Sequence, residues 1–145
     1  MLLDLLKRRY SVRDFSDKDV SQKIIKYILE AGRLSPSGGN EQPWLFGLVE
    51  NENLIKDISK IAYNQKWIEN AKFLVVLCTK IISDQREGRD IQKARFPDLE
   101  EDIESLDKEI YNKLNMEEHQ TKIPGTHMSL AGLEHGIGSC WVSKL

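Results

Sequence analysis

Apolar residues recur along this chain in short patterned blocks, and each block predicts an element. Leu2, Leu3, Leu5 and Leu6 lie in a first block that predicts a short helix over residues 2–9. Val20, Ile24, Ile25, Ile28 and Leu29 follow the 3.6-residue period of an amphipathic helix. Ser16 and Asp19 ahead of them resemble a capping box with Asp in place of Glu or Gln, and Gly32 offers a stop. Ser35-Pro-Ser-Gly-Gly-Asn-Glu-Gln-Pro43 is turn chemistry and cannot be a helix. A strand is predicted over residues 44–49. A helix over 53–64 then carries Leu54, Ile55, Ile58, Ile61 and Ala62 on one face. Residues 73–79 are short, continuous and apolar, the pattern of a strand buried on both faces, which makes Cys78 a core residue. Residues 86–118 are polar and helical in part, with Ile103, Leu106, Ile110 and Leu114 as a stripe. Pro124 can open another helix at its first turn, with residues 127–136 following, and residues 139–142 read as a final strand. Helices mixed with a few strands point to helices packed on one sheet.

Composition narrows the class. The chain has 145 residues, enough for one domain with its own core. Hydrophobic residues are 40% and charged residues 30%, as in ordinary globular proteins. Lys and Arg number 21 against 23 Asp and Glu, a near-balance that argues against a general nucleic-acid coat. The longest apolar run, Phe73 to Cys78, falls far short of the roughly 18 residues needed to cross a membrane. Two cysteines make neither a disulfide framework nor a CxxC pair, and the first residues do not have the order of a secretory signal. The expectation is a cytoplasmic protein with no nucleic-acid or membrane partner.

Two segments could carry chemistry. Lys7, Arg8, Arg9 and Arg13 cluster around Ser11 where a helix gives way to a turn. Forked guanidinium donors and a hydroxyl suit a phosphate, although a solvated basic patch has the same composition. Pro36-Ser-Gly-Gly-Asn40 combines two glycines, which permit close backbone approach to a flat ligand, with an amide that donates and accepts. A plain connecting turn is the competing reading. Gly136-Ile-Gly-Ser-Cys140 is no dinucleotide fingerprint, because it follows a helix, enters a strand and lacks the third glycine. His127 and His135 on one helix would lie about 12 Å apart along the axis, too far to share a metal. No metal is expected, and no side chain stands out as a nucleophile or essential base.

Taken together, Arg8-Arg-Tyr-Ser-Val-Arg-Asp-Phe15, Ser35-Pro-Ser-Gly-Gly-Asn-Glu-Gln-Pro-Trp44 and Gly136-Ile-Gly-Ser-Cys-Trp-Val142 resemble the nitroreductase family of FMN-dependent oxidoreductases. The motifs fall in the family's order and span nearly the whole chain, and the second is the most specific. The resemblance implies one α+β domain over residues 1–145, with a central, mostly antiparallel sheet flanked by helices. It implies a homodimer with FMN in clefts at the interface. Arg9 would hold the FMN phosphate, with Ser11 beside it and Tyr10 nearby, and Arg13 would lie near the pyrimidine end of the flavin. Pro36, Ser37, Gly38 and Asn40 would line the ring edge. The backbone at Val142 and Ser143 would approach the flavin N5 side. The stripe Ile103, Leu106, Ile110 and Leu114 is a candidate dimer contact.

The implied activity is ping-pong transfer of a hydride from NAD(P)H, by way of the flavin, to a nitroaromatic, quinone or similar small acceptor. Because the flavin carries the hard step, no catalytic side chain is assigned. The chain departs from the family pattern in three places: Ser143 stands where many members have Gly, His127 where many have Asn, and the sequence stops soon after Val142 where members continue into an arm around the partner. The early stop and Ser143 motivate an alternative, a catalytically poor FMN-binding protein for storage or sensing.

Overall fold

A computed structural model describes residues 2–40, 42–79, 93–94, 96–107 and 116–143. The leucine-rich start forms α1 (Leu2–Arg8). The second helix, α2 (Gln22–Arg33), opens later than its sequence suggests. Its cap is Ser21, in extended backbone, whose hydroxyl accepts from the Ile24 amide at 3.4 Å. Ser16 and Asp19 therefore lie outside the helix, in irregular backbone that bends at Asp17. The apolar period still sets the packing, turning Ile25 and Ile28 inward.

β1 (Trp44–Val49) pairs antiparallel with β2 (Leu74–Thr79), in a register that sets Trp44 opposite Thr79 and Val49 opposite Leu74. Between the strands come α3 (Glu52–Ile61), capped by the Asn51 side chain, and a 3₁₀ turn, Lys66–Asn70. The helix ends before Asn64 because Tyr63 and Asn64 turn into left-handed backbone, at φ 57° and 54°. Ile55, Ala62 and Ile68 form the core under the sheet, with Val49, Trp67, Leu74 and Val142 packed against it. β2 is half-covered rather than buried on both faces. Cys78 is exposed, opposite the equally exposed Leu45, and is not a core residue. The continuous apolar run reflects a strand covered in part on both faces, with Leu74 against the Ile55 core and Leu77 against Gly125.

α4 (Glu100–Ser105) is short and ends at Leu106. Ile103 is 9% exposed, buried inside the chain, so it cannot serve as a dimer contact; Ile110 and Leu114 lie outside the described residues. The long helix α5 (Met116–Glu134) continues past Pro124, which is fully buried inside it rather than at its first turn. α2 crosses α5 where a glycine on each helix receives a large side chain from the other. A Cβ at Gly32 would collide with the Met128 side chain, and one at Gly132 would lie 3.5 Å from Ile28 Cδ1. α2 thus ends near Gly32 as expected, one residue on at Arg33, and Gly32 also serves as the close-approach residue. β2 rests on α5 as well, through Thr79 Oγ1 and Thr121 Oγ1 at 3.2 Å. Beyond α5 the expected last strand is reduced to one parallel bridge, Ser139 with Ser11. No helix among the described residues is long and apolar enough to cross a membrane.

Candidate functional site

The basic segment begins where α1 ends. Lys7 and Arg8 stand in its last turn, where cations suit the helix dipole, and the Arg9 amide still donates to Leu5 and Leu6 carbonyls at 3.2 and 3.3 Å. Arg8, Arg9, Tyr10, Ser11 and Arg13 are all exposed. Neither Arg8 nor Arg9 is in an ion pair among the described residues, so both guanidinium groups can meet an anion. Arg13 is aimed elsewhere: its guanidinium carbon lies 5.7 Å from the ring centroid of Trp67, which also meets Phe15.

The third motif comes to meet the first. α5 ends in a Schellman turn, with Gly136 at φ 74°, its amide donating to Leu133 O and the Ile137 amide to Gly132 O. The chain then runs extended alongside residues 11–12. Val12 N donates to Ser139 O at 3.0 Å. The Ser129 and Ser139 hydroxyls lie 2.7 Å apart. Arg8, Arg9, Tyr10 and Val12 on one side, and Ser129, Leu133 and Ser139 on the other, line a shallow depression. Further along, Trp141 lies over α5 at Gly125, Val142 packs on the Ile55 core and Ser143 is exposed.

The glycine loop is built separately. Ser35 is buried, its hydroxyl 2.8 Å from His127 Nδ1. Ser37 Oγ accepts from Gln42 N at 2.9 Å, and Ser37 O accepts from Asn40 N at 3.0 Å. Asn40 Oδ1 accepts from Gln42 Nε2 at 3.0 Å, leaving the Asn40 NH2 group to offer a ligand. Asn40 and Gln42 are left-handed, at φ 56° and 48°, a conformation that disfavours a Cβ. Gly38 N donates to Gln120 Oε1 at 2.5 Å. Pro36, Gly38 and Asn40 are exposed and Ser37 half-buried. Pro43 and Trp44 anchor the far end by burial.

The structure therefore brings Arg9, Tyr10 and Ser11 together with the third motif, sets Arg13 over Trp67, and packs both Trp67 and Val142 on the Ile55 core. It does not join these to the Pro36–Asn40 loop by any hydrogen bond among the described residues. Both parts hang on α5: Gln120 holds the loop, and Ser129, nine residues on, faces the basic segment. At 1.5 Å per residue the two mounts are about 14 Å apart along the helix. Gln120, Ser129 and Trp67 were not singled out from the sequence. Nothing in their local pattern marks them, since each matters only through a distant contact.

Helices over one antiparallel sheet make this an α+β fold, with a basic segment paired to the strand-like tail and a glycine loop held on a helix. The chain matches the Nitroreductase family over residues 6–145 and belongs to that family. It is 40% identical over 77 residues to the oxygen-insensitive NADPH nitroreductase of Helicobacter pylori J99, a match covering 52% of this chain and 37% of that protein. Its fold is similar to an FMN-dependent nitroreductase from Clostridium difficile R20291, at TM-score 0.67 and 20% identity, over 97% of this chain and 65% of that one. It is also similar to a BluB-like flavoprotein from Clostridium difficile 630, at TM-score 0.74 and 22% identity, over 99% of this chain and 74% of that one. Matches to relatives from Archaeoglobus fulgidus and Methanothermobacter thermautotrophicus cover 44% and 40% of their lengths, so the chain spans less than half of several curated relatives.

Proposed function

We propose that this chain binds FMN and acts as an NAD(P)H-dependent oxidoreductase on small acceptors. The observation that carries the proposal is the pairing of the Arg8–Arg13 segment with the Ser139 strand segment, within a chain of the Nitroreductase family. The donor set fits the cofactor. Two guanidinium groups in no ion pair among the described residues and the Ser11 hydroxyl match a phosphate dianion, while the polar groups of the loop at Pro36, Ser37, Gly38 and Asn40 match the edge of a flat, polar ring. Arg9 would hold the phosphate, with Arg8, Tyr10 and Ser11 around it. Arg13, steadied over Trp67, would place a positive charge toward the ring, and the backbone at Val142 and Ser143 would flank it. When bound, FMN supplies the redox chemistry, accepting a hydride from NAD(P)H and passing it to a nitroaromatic, quinone or similar acceptor in two successive half-reactions. The protein's part is binding, orientation and charge.

A cleft shared by two copies of the chain suits the separation of the two mounts on α5, since each copy would offer the loop to one site and the basic segment to the other. α1 supports the dimer reading: Leu2 and Leu3 are 67% and 60% exposed, an apolar face left open by the described residues. The test is direct. The purified protein is expected to show flavin absorbance after incubation with FMN, to bleach on anaerobic mixing with NADH or NADPH, and to recover colour with a quinone. Flavin uptake without reduction would favour the storage or sensing alternative, and no uptake would sink both.

Asn40 gives a smaller test. Its left-handed backbone makes alanine a mixed probe, because the new side chain adds strain to the lost amide. Asn40→Gly tolerates the left-handed backbone and removes the amide together with the bond it accepts from Gln42, and is expected to weaken FMN about 2- to 10-fold. A flavin titration matching the parent would take Asn40 out of the site.

A further inference from the structure

We propose that Gln120 is a positioning residue: its side-chain oxygen fixes the height of the glycine loop over α5 and thereby the ring edge of the bound flavin. The inference rests on the flavin reading above. The internal bonds of the loop, donated by Asn40 N and Gln42 N to Ser37 and by Gln42 Nε2 to Asn40, close the turn on itself but do not orient it against the body of the protein. The two ends are pinned by burial, at Ser35 and at Pro43 with Trp44. The middle is held from outside by Gln120, the acceptor for Gly38 N.

The geometry is that of a two-point mount. Gln120 and His127 are seven residues apart, about two helical turns, so they lie on one face of α5 and reach the loop at Gly38 and Ser35 respectively. The arrangement is tight, since a Cβ at Gly38 would sit 3.3 Å from the Gln120 oxygen. It also holds a conformation the loop has reason to leave, because Asn40 and Gln42 are both left-handed without being glycine. Without an acceptor at position 120, the 3₁₀ turn Gly38–Asn40 can lift or rotate, and Pro36, Ser37 and Asn40 move with it.

Gln120→Met keeps the length of the side chain and removes the acceptor; Gln120→Glu keeps the acceptor. FMN affinity by fluorescence quenching, the visible spectrum of the bound flavin and the melting temperature without flavin are measured for both, beside the parent and Arg9→Ala. The expected result for Gln120→Met is an unchanged flavin-free melt, about 3- to 10-fold weaker FMN and a shifted flavin spectrum. Gln120→Glu is expected to restore the parent's affinity and spectrum. Should Gln120→Met fail to fold, Gln120→Asn, one methylene short of the bond, is read in its place. Parent-like affinity and spectrum in the acceptor-less variant, with Arg9→Ala weakened, would overturn the role of Gln120 and leave the flavin reading standing. Equal losses in the Met and Glu variants would overturn it too, since the acceptor would then not be what matters. A parent that takes up no FMN overturns both.

Discussion

Arg9→Ala is expected to lower FMN affinity about 10- to 100-fold while leaving the flavin-free protein as stable as its parent. A hydrogen bond to a charged group is worth roughly 1.5–3 kcal/mol, and each 1.4 kcal/mol is about a factor of ten in a dissociation constant. The two halves of the expectation follow from the same observation. Arg9 is exposed and in no ion pair among the described residues, so its removal breaks nothing that holds the fold. An exposed charge is also open to screening, so the gap between parent and variant should narrow as salt rises. Arg9→Lys separates charge from shape: it keeps the charge but loses the planar fork, and should fall between the two. Flavin titrations at two salt concentrations, with melts of the flavin-free proteins, make the check. An affinity unmoved by the alanine would remove Arg9 from the site and shift the phosphate to Arg8 or out of this segment.

What could be read from the sequence was what each segment dictates for itself. β1 begins at Trp44 and ends at Val49 as its apolar run requires, and the stripe of Ile25 and Ile28 faces inward as its period requires. α1 and α3 arise where their leucines and isoleucines place them. The errors lie where a segment's state depends on neighbours. α5 is the clearest case. It carries α2 on one side, β2 on another and the tail segment on a third, so it has no single apolar stripe to announce it, and its first turns read as polar. Pro124, a start signal when taken locally, is accommodated inside the helix, where burial fixes it. Gly32 marked the end of α2 to within a residue, but its second role, making room for Met128 on the facing helix, was not local and could not be read. Cys78 was taken into the core because an apolar run cannot say which of its faces will be covered.

The candidate site divides along the same line. Arg9, Ser11 and Asn40 were legible because their chemistry is local: cations beside a hydroxyl, an amide in a glycine turn. Their supports were not. Gln120 lies 82 positions from Gly38 and Ser129 lies ten from Ser139, and only the folded chain makes these neighbours. The residues that could touch a ligand were therefore named from sequence, and those that hold them in place were supplied by the structure.

The strongest link between the two terminal motifs is steric as much as hydrogen-bonded, and Gly138→Ala is expected to break it. A Cβ at Gly138 would lie 2.7, 2.9 and 3.0 Å from Val12 Cγ2, Cβ and Cγ1. Those three atoms belong to one β-branched side chain that is stiff at χ1, and Cβ is a single bond from the backbone, so rotation cannot clear the overlap. The backbone at Val12 must move, and it is the backbone whose amide donates to Ser139 O at 3.0 Å. Overpacking of this kind costs about 1–3 kcal/mol, and the strained or lost hydrogen bond adds about 0.5–1.5 kcal/mol. For a chain of this length each kcal/mol lowers the melting temperature by about 2–4 °C, so a fall of several degrees is expected. FMN affinity should fall with it, because Arg9 and Ser11 are positioned by the same bridge. The second-site change Val12→Ala removes both γ-methyls that meet the new Cβ, and together with Gly138→Ala it should recover part of both losses. That recovery is a coupling which two unrelated destabilising changes would not show. A single variant that melts and binds flavin like the parent, or a double variant that simply adds the two losses, would mean that this contact does not align the basic segment with the tail.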